Sequence, residues 1–110
     1  MDKKIEFEKY ELNGKIAVLI SNNFGAGWST WYEEYAEYLL FAKELVEFVL
    51  KNEKDKIEEF LTDKFGDHNI YLGGLRDLKV EWIEKGTSFY VHEYDGSESI
   101  VTNENLYITA

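Results

Sequence analysis

The amino-acid sequence predicts an α+β fold: an antiparallel sheet of about five to six strands with two helices packed on one face. Strand-like patterns at both ends of the chain flank a central stretch of helical periodicity. The dipeptides Asn13-Gly14 and Asp95-Gly96 are typical of two-residue hairpin turns, which join antiparallel strands. The chain has 110 residues, no proline and no internal repeat, so we expect residues 1–110 to form a single α+β domain.

Two strands are predicted before the helices, over residues 4–12 and 15–21, with the Asn13-Gly14 turn between them. The second run is almost entirely apolar, which predicts a central strand buried on both faces. In the first run the apolar alternation changes phase after Phe7. This change predicts a bulge near Glu8-Lys9.

The central helical stretch begins with a capping-box spacing between Thr30 and Glu33, which places the first helix from about Trp31. Apolar residues then recur at intervals of three and four through residue 49. Leu40 falls on the polar side of this stripe, which indicates a later start or a break near it. A second helix is predicted over residues 55–65, with Gly66 at the position of a C-terminal glycine cap.

The last third of the sequence returns to strand patterns. The predicted strands cover residues 78–82, 87–94, 99–101 and 106–109, joined by turns at residues 84–86, 95–96 and 103–105. This order of elements favours helices on one face of an antiparallel sheet.

The composition is that of a strongly acidic globular protein, with a net charge of −10 and a hydrophobic content of 45%. Neither Lys nor Arg occurs from Thr87 onward. Because DNA and RNA are bound through cationic contacts to phosphate, we expect no direct nucleic-acid binding. Two interpretations of the charge stay open: a merely solvated surface, or an acidic face that occupies a basic groove of a partner.

No membrane association or export is expected. The first residues lack the apolar run of a signal peptide, and no stretch approaches the roughly 18 apolar residues of a membrane span. The sequence contains no cysteine, which removes disulfides and thiolate metal sites. We therefore expect a cytoplasmic protein.

The segment from Gly25 to Trp31 is the strongest candidate for a ligand site. It lies between a buried strand and a helix start, where unpaired backbone N–H groups attract anions. Two tryptophans in it could stack on a base. The candidate ligand-binding residues of this Gly-Trp loop are Gly25, Gly27, Trp28, Ser29, Thr30 and Trp31. The alternative is a tight structural turn whose tryptophans anchor the helix to the sheet.

The Asp95-Gly96 hairpin supplies further candidates. Its polar residues Tyr94, Asp95, Ser97 and Ser99 could bind the same ligand, although ordinary hairpin turns have similar sequences. An acidic face for a protein partner would contain Glu33, Glu34, Glu37, Glu93 and Glu98. An unpaired strand edge could also join two copies into a homo-oligomer.

Catalytic motifs are absent from the sequence. There is no nucleophile-elbow serine, and His68 and His92 lack the close spacing of a zinc helix. We therefore predict no catalytic residue, no metal and no cofactor, and a protein that is not an enzyme. A weak metal-dependent hydrolase that uses scattered carboxylates is a third hypothesis.

Two segments carry a family resemblance: the Gly-Trp loop, and the tail from residue 77 through Glu93-Tyr94-Asp95-Gly96-Ser97-Glu98-Ser99. Together they resemble a group of small uncharacterised proteins encoded by phages and prophages. The resemblance covers about two thirds of the chain and implies a role in an infected bacterial host. Small accessory proteins of this kind often counteract host defence.

Two hypotheses of function follow. In the first, the protein binds without catalysis and sequesters a small nucleotide-like ligand at the Gly-Trp loop. A single arginine in the whole chain disfavours a highly phosphorylated ligand. In the second, an acidic inhibitor mimics nucleic acid and binds a basic groove of a host defence protein.

Overall fold

The computed structural model describes residues 6–21, 27–31, 36–65, 75–94, 96–102 and 108–110. These residues form three α-helices, two short 3-10 turns and six strands. The helices are α1 (Ala36–Phe41), α2 (Lys43–Leu50) and α3 (Asp55–Phe65), and the 3-10 turns are Ser29–Trp31 and Leu75–Asp77. The strands are β1 (Glu11–Leu12), β2 (Lys15–Ser21), β3 (Leu78–Glu84), β4 (Ser88–Tyr94), β5 (Ser97–Thr102) and β6 (Ile108–Thr109).

The first sheet has the strand order β1-β2-β3, and both pairings are antiparallel. Asn13 and Gly14 both have positive φ angles, 54° and 78°, as the two-residue turn between β1 and β2 requires. Every residue of β2 after Lys15 is buried. The predictions of this hairpin and of a central strand buried on both faces are confirmed.

The segment before β1 leaves the sheet and pairs with a break between two helices. Ala42 has a non-helical ψ of 122°, which ends α1 before α2 begins. Lys9 forms an isolated antiparallel bridge with Ala42, and the N–H of Lys43 donates to the carbonyl of Glu8 over 2.8 Å. The predictions of a strand over residues 4–12 and of a bulge near Glu8-Lys9 are therefore wrong, because residues 8–9 bond to the break between α1 and α2. The predicted helix break near Leu40 is confirmed two residues later.

The second sheet has the order β5-β4-β6 and is also antiparallel. The sequence predicts a single sheet that contains all the strands, with β4 paired to β3. The chain does turn at Gly86, whose φ is 90°, but the N–H of Gly86 donates to the carbonyl of Ala110 and β4 continues into the second sheet. The α+β class and the six antiparallel strands are confirmed, and their division between two sheets is the difference.

Strand β2 is shared by two hydrophobic cores, because its side chains alternate between the two faces of the first sheet. Ala17 and Leu19 pack with residues of all three helices in the first core. On the opposite face, Ile16, Val18 and Ile20 pack in the second core with side chains of α1 and the second sheet. The sheet is thus covered by helices on one side and by strands on the other. None of the described helices is both long and apolar enough to cross a lipid bilayer.

Phe41 joins the helical layer to the second sheet, and its removal tests the two-core arrangement. Its ring stacks on Phe7 at 6.1 Å and meets Phe89 edge-on at 6.0 Å between ring centroids. We expect Phe41→Ala to lower the free energy of unfolding by about 3–5 kcal/mol, the usual cost of emptying a buried phenylalanine site. Urea denaturation measures this loss. The control Leu50→Ala, at a side chain 46% exposed, is expected to cost below about 1 kcal/mol.

The buried phenol of Tyr38 is expected to make the fold less stable at alkaline pH. Burial, followed by the hydrogen bond to Glu44 and the negative charge of Glu44, raises the pKa of its phenol above the ordinary value. The hydroxyl donates to Glu44 Oε1 over 2.8 Å. The folded protein therefore keeps a proton that the unfolded chain loses near pH 10, so this stabilisation is complete below about pH 10 and declines above it.

We expect the free energy of unfolding to fall more steeply between about pH 9.5 and pH 11 in the wild type than in Tyr38→Phe. Urea titrations of both proteins across this range measure the two slopes. Parallel slopes would show that the Tyr38 proton does not contribute.

Candidate functional site

The carboxylate of Glu98 lies inside the protein and binds the Gly-Trp loop. Glu98 is only 1% exposed, although its side chain ends in a carboxylate. Oε1 accepts a hydrogen bond from the N–H of Ser21 over 2.9 Å. Oε2 accepts three: from the N–H of Trp28 over 2.8 Å, from the N–H of Thr30 over 3.0 Å and from Thr30 Oγ1 over 2.5 Å. Four donors from two chain segments thus converge on one carboxylate.

The register of the second sheet explains why Glu98 points inward. In the β4–β5 pair, Glu98 lies opposite Glu93, and Ile100 lies opposite Val91 on the same face. This face packs toward the first sheet, so Glu98 is carried to the end of β2, where Ser21 is the last strand residue. Burial of a carboxylate is costly unless hydrogen bonds replace its water, and the loop supplies those hydrogen bonds.

Trp28 is a core residue and not an exposed stacking surface. Its side chain is fully buried in the first core, and its Nε1 donates to the carbonyl of Leu39 in α1 over 2.7 Å. A ligand could reach neither face of this ring without displacing the core. The geometry agrees with the structural interpretation of the loop, in which tryptophan anchors the helix to the sheet, and the assignment of Trp28 to ligand stacking is wrong.

The other loop candidates are equally enclosed where the structure describes them. Gly27 and Ser29 are buried, and Thr30 is half-buried with both its N–H and its hydroxyl bonded to Glu98. The backbone of Trp31 completes the 3-10 turn. Gly25 and the side chain of Trp31 lie outside the described part of the structure. The amides of Trp28 and Thr30, expected to hold an anionic ligand, already bind an anion of the chain itself.

The hairpin candidates lie on the opposite face of the second sheet from Glu98. Tyr94 pairs with Ser97, and His92 pairs with Ser99. Tyr94 and Ser99 are exposed and Ser97 is half-buried. Asp95 lies outside the described residues. The structure therefore brings three of the four hairpin candidates together on one surface, and it separates them from the Gly-Trp loop.

The structure also separates the residues of the predicted acidic face: some are exposed and Glu98 is buried. Glu37 and Glu93 are exposed, and the Glu93 carboxylate accepts a hydrogen bond from the N–H of Gly96 over 2.6 Å. Glu33 and Glu34 lie outside the described residues. Glu98 does not belong to any exposed face, so its prediction as a partner-binding residue is wrong. The physical reason is the strand alternation that turns it toward β2.

The sequence gives only part of a signal for Glu98. Glu98 and Ile100 are two residues apart on one strand and share a face, but Val101 makes the opposite face equally apolar, so alternation does not decide which face is the inner one. Ser97, Glu98 and Ser99 together also have the composition of a polar turn, which favours exposure. The donors of the carboxylate were beyond prediction, since they lie about seventy residues earlier in the chain.

Two surface cavities are lined by described residues. One, of about 640 Å³, is lined by Glu6, Phe7, Glu8 and Glu44. The other, of about 270 Å³, lies between β3 and β5 and includes Trp82, Ile83 and Ile100 in its lining. Neither lining includes any of residues 27–30, which are the residues of the predicted ligand loop whose side chains and burial the structure describes.

The described residues contain no group of three or more His, Asp or Glu side chains placed to hold a metal ion. His92 lies on the face of the second sheet opposite to Glu98, with its ring centroid 6.5 Å from that of Tyr90. His68 lies outside the described residues. No family model, curated protein or solved structure matches the chain.

Substitution of Glu98 tests its role as the anchor of the loop. Glu98→Gln keeps the size of the side chain but replaces one acceptor oxygen with an NH₂ group and removes the charge. We expect it to lower the free energy of unfolding by about 2–3 kcal/mol, because hydrogen bonds to a charged acceptor are the strong ones. Urea denaturation measures the loss. Glu84→Gln, at an exposed acid on β3, is the matched control and is expected to change stability by less than about 0.5 kcal/mol.

A second variant, Glu98→Ala, leaves the donors of the loop facing an empty site. We expect formate or acetate to raise the unfolding temperature of this variant above the effect of equal chloride, because a ligand of the native state alone stabilises it. The wild type should show no such difference. If Glu98→Gln matches the wild type in stability, the carboxylate does not anchor the loop.

Proposed function

We propose that this protein acts by binding a partner protein with a basic surface. The single observation that favours this function is the position of the Glu98 carboxylate, which occupies the backbone amides of the Gly-Trp loop. Of the two hypotheses drawn from the sequence, the acidic inhibitor is thereby favoured over nucleotide sequestration.

Sequestration of a small nucleotide-like ligand requires donors for its anionic groups and a ring to stack on its base. In the described loop, the amides of Trp28 and Thr30 are bonded to Glu98 and the Trp28 ring is buried. A phosphate brought to this loop would also meet the negative charge of Glu98, which repels it. The described part of the loop is thus closed to an anion by its own carboxylate.

The charge of the chain favours a basic partner. Its net charge is −10, and exposed acids occur on several elements, among them Glu37 on α1, Glu58 on α3 and Glu84 on β3. A field of this sign accelerates association with a basic protein surface and opposes association with nucleic acid. Mimicry of nucleic acid is one form of such binding.

The resemblance to phage proteins supplies the setting of this proposal. A phage protein acts in the cytoplasm of an infected bacterium, so the expected partner is a bacterial protein with a basic groove. A host defence protein that binds nucleic acid fits this description, because such proteins carry the cationic surface that an acidic inhibitor would occupy.

The proposal predicts that nucleotides leave the protein unaffected and that a protein partner binds in a salt-dependent manner. A thermal-shift screen against mono-, di- and cyclic nucleotides should give no rise in unfolding temperature beyond that of an equal ionic strength of NaCl. Tagged protein incubated with bacterial lysate should retain a basic protein at about 50 mM NaCl and release it near 0.5 M, because salt screens charge-steered binding.

Two charge variants sharpen this test. Glu37→Lys changes the sign of an exposed charge in the predicted acidic face, and Glu58→Lys makes the same change on α3, where lysines are already interspersed. We expect Glu37→Lys to weaken retention of the partner more than Glu58→Lys. A nucleotide that raises the unfolding temperature, or retention that ignores salt, would overturn the proposed function.

A further inference from the structure

The turn between β1 and β2 places an asparagine before a glycine at an exposed position. Asn13 is the single asparagine of the sequence that precedes a glycine. Both residues of the turn are exposed, and their φ angles of 54° and 78° are those of a type I′ turn. Water therefore reaches the Asn13 residue next to the peptide N–H of Gly14.

The peptide nitrogen of Gly14 is available for attack on the side-chain carbonyl carbon of Asn13. In the hydrogen bonds of the described residues, Gly14 is an acceptor, since its carbonyl binds the N–H of Lys85 over 3.0 Å, and its own N–H donates in none of them. Glycine also has no side chain to hinder the approach, and a Cβ placed at position 14 would meet no atom within 4 Å. The space around the reacting groups is thus open.

Asn52 shows the opposite arrangement at a second exposed position. It lies between α2 and α3 and also has a positive φ, 59°. The nitrogen that follows it belongs to Glu53, and its N–H donates to the carbonyl of Phe48 over 2.7 Å, a bond that closes the C-terminus of α2. This hydrogen bond and the side chain of Glu53 both oppose attack on Asn52. The two asparagines have similar φ angles but differ in whether the next N–H is bonded.

We infer that Asn13 is a site of spontaneous deamidation, which converts it to isoaspartate and aspartate. The Gly14 nitrogen loses its proton and forms a bond to Cγ of Asn13, while the bond from Cγ to Nδ2 breaks and ammonia leaves. The reaction is intramolecular and closes a five-membered succinimide ring, so its reacting groups are already held close together. The inference is independent of the proposed function.

Water then opens the succinimide in one of two ways. Attack at Cγ breaks the bond from Cγ to the Gly14 nitrogen and leaves aspartate at position 13. Attack at the main-chain carbonyl carbon breaks the original peptide bond and leaves isoaspartate, in which the main chain runs through Cγ. Each product has a carboxylate in place of the neutral amide, so the chain becomes more acidic in both cases.

Isoaspartate also changes the backbone of the turn. It adds a methylene group to the main chain of a turn whose two residues set the register of β1 and β2, in which Leu12 pairs with Lys15. We expect this pairing to be lost. Aspartate at position 13 keeps the turn, because Asp-Gly also suits type I′.

Incubation of the full chain at about pH 7 and about pH 9, followed by peptide mass spectrometry, measures conversion at each asparagine; the higher pH favours loss of the proton from the attacking nitrogen. We expect position 13 to convert about tenfold or more faster than position 52, and faster at the higher pH. A methyltransferase specific for isoaspartyl carboxylates should label the wild type and not Asn13→Gln, whose longer side chain disfavours ring closure. Conversion at position 13 no faster than at position 52 overturns the site.

The variant Glu53→Gly separates the effect of the hydrogen bond from that of the glycine. It gives Asn52 the same following residue as Asn13, while the N–H of residue 53 stays bonded to the Phe48 carbonyl. We expect position 52 of this variant to convert at least about fivefold more slowly than position 13, because the bonded N–H must first be released. Unfolding temperatures confirm that the variant is folded. Equal rates at the two positions would overturn the structural basis of the inference.

The effect of isoaspartate on the fold is measured on the separated products. Ion exchange removes unmodified protein, because both products have an additional negative charge. We expect the isoaspartate form to unfold at a lower temperature than freshly purified Asn13→Asp, which has the same charge and an ordinary backbone. Equal unfolding temperatures would reject the loss of the β1–β2 pairing.

Discussion

The hydrogen bonds of the Glu98 carboxylate join three parts of the structure: β5, the end of β2 and the turn that precedes α1. One oxygen bonds to the last residue of β2 and the other to the turn that leads toward α1, while the carboxylate itself belongs to β5. The same group therefore bonds the second sheet to the first sheet and to residues 28 and 30 of the loop. The loop has its conformation because a buried anion of the chain collects its N–H groups.

The same contact changes the meaning of the loop sequence. A glycine- and tryptophan-containing turn before a helix has the features of an anion site, and this one binds an anion that is covalently part of the protein. Trp28 contributes its ring to the core and its Nε1 to α1. The amides and the tryptophan that suggest ligand recognition in the sequence therefore stabilise the fold in the structure.

The sequence predicted the local features of the fold well. The turn at Asn13-Gly14, the doubly buried strand β2 and the helix α3 follow from patterns within about ten residues, and such patterns determine local conformation. The division of the strands into two sheets could not be predicted in this way. Strand patterns predict which side chains of β4 share a face, but not which strands pair with β4. That pairing depends on distant contacts such as the hydrogen bond that the N–H of Gly86 donates to the carbonyl of Ala110.

For the site residues, too, the sequence could not predict the contacts that depend on residues distant in the chain. The sequence predicts that Tyr94, Ser97 and Ser99 bind the same ligand as the Gly-Trp loop, whereas the register of β4 and β5 puts these three residues on the face opposite to Glu98. The inward direction of Glu98 does not follow from local alternation, because the apolar residues Ile100 and Val101 lie on opposite faces of β5. Its donors are distant in sequence, and only the tertiary fold shows that Ser21, Trp28 and Thr30 surround it. For that reason the sequence left both an external ligand and a structural turn open, and the structure has the amides of the loop bonded to Glu98.

The distance along the chain between the loop and Glu98 has a consequence for synthesis on the ribosome. Residues 21–30 are translated long before residue 98, and β2 also precedes its neighbour β3 by about sixty residues. Until β3 leaves the ribosomal exit tunnel, β2 has only the short β1 as a partner, and until β5 follows, the turn lacks the acceptor for its N–H groups. Long-range pairing of this kind slows folding, and it makes completion of the last third of the chain the event that commits the whole domain to its native structure.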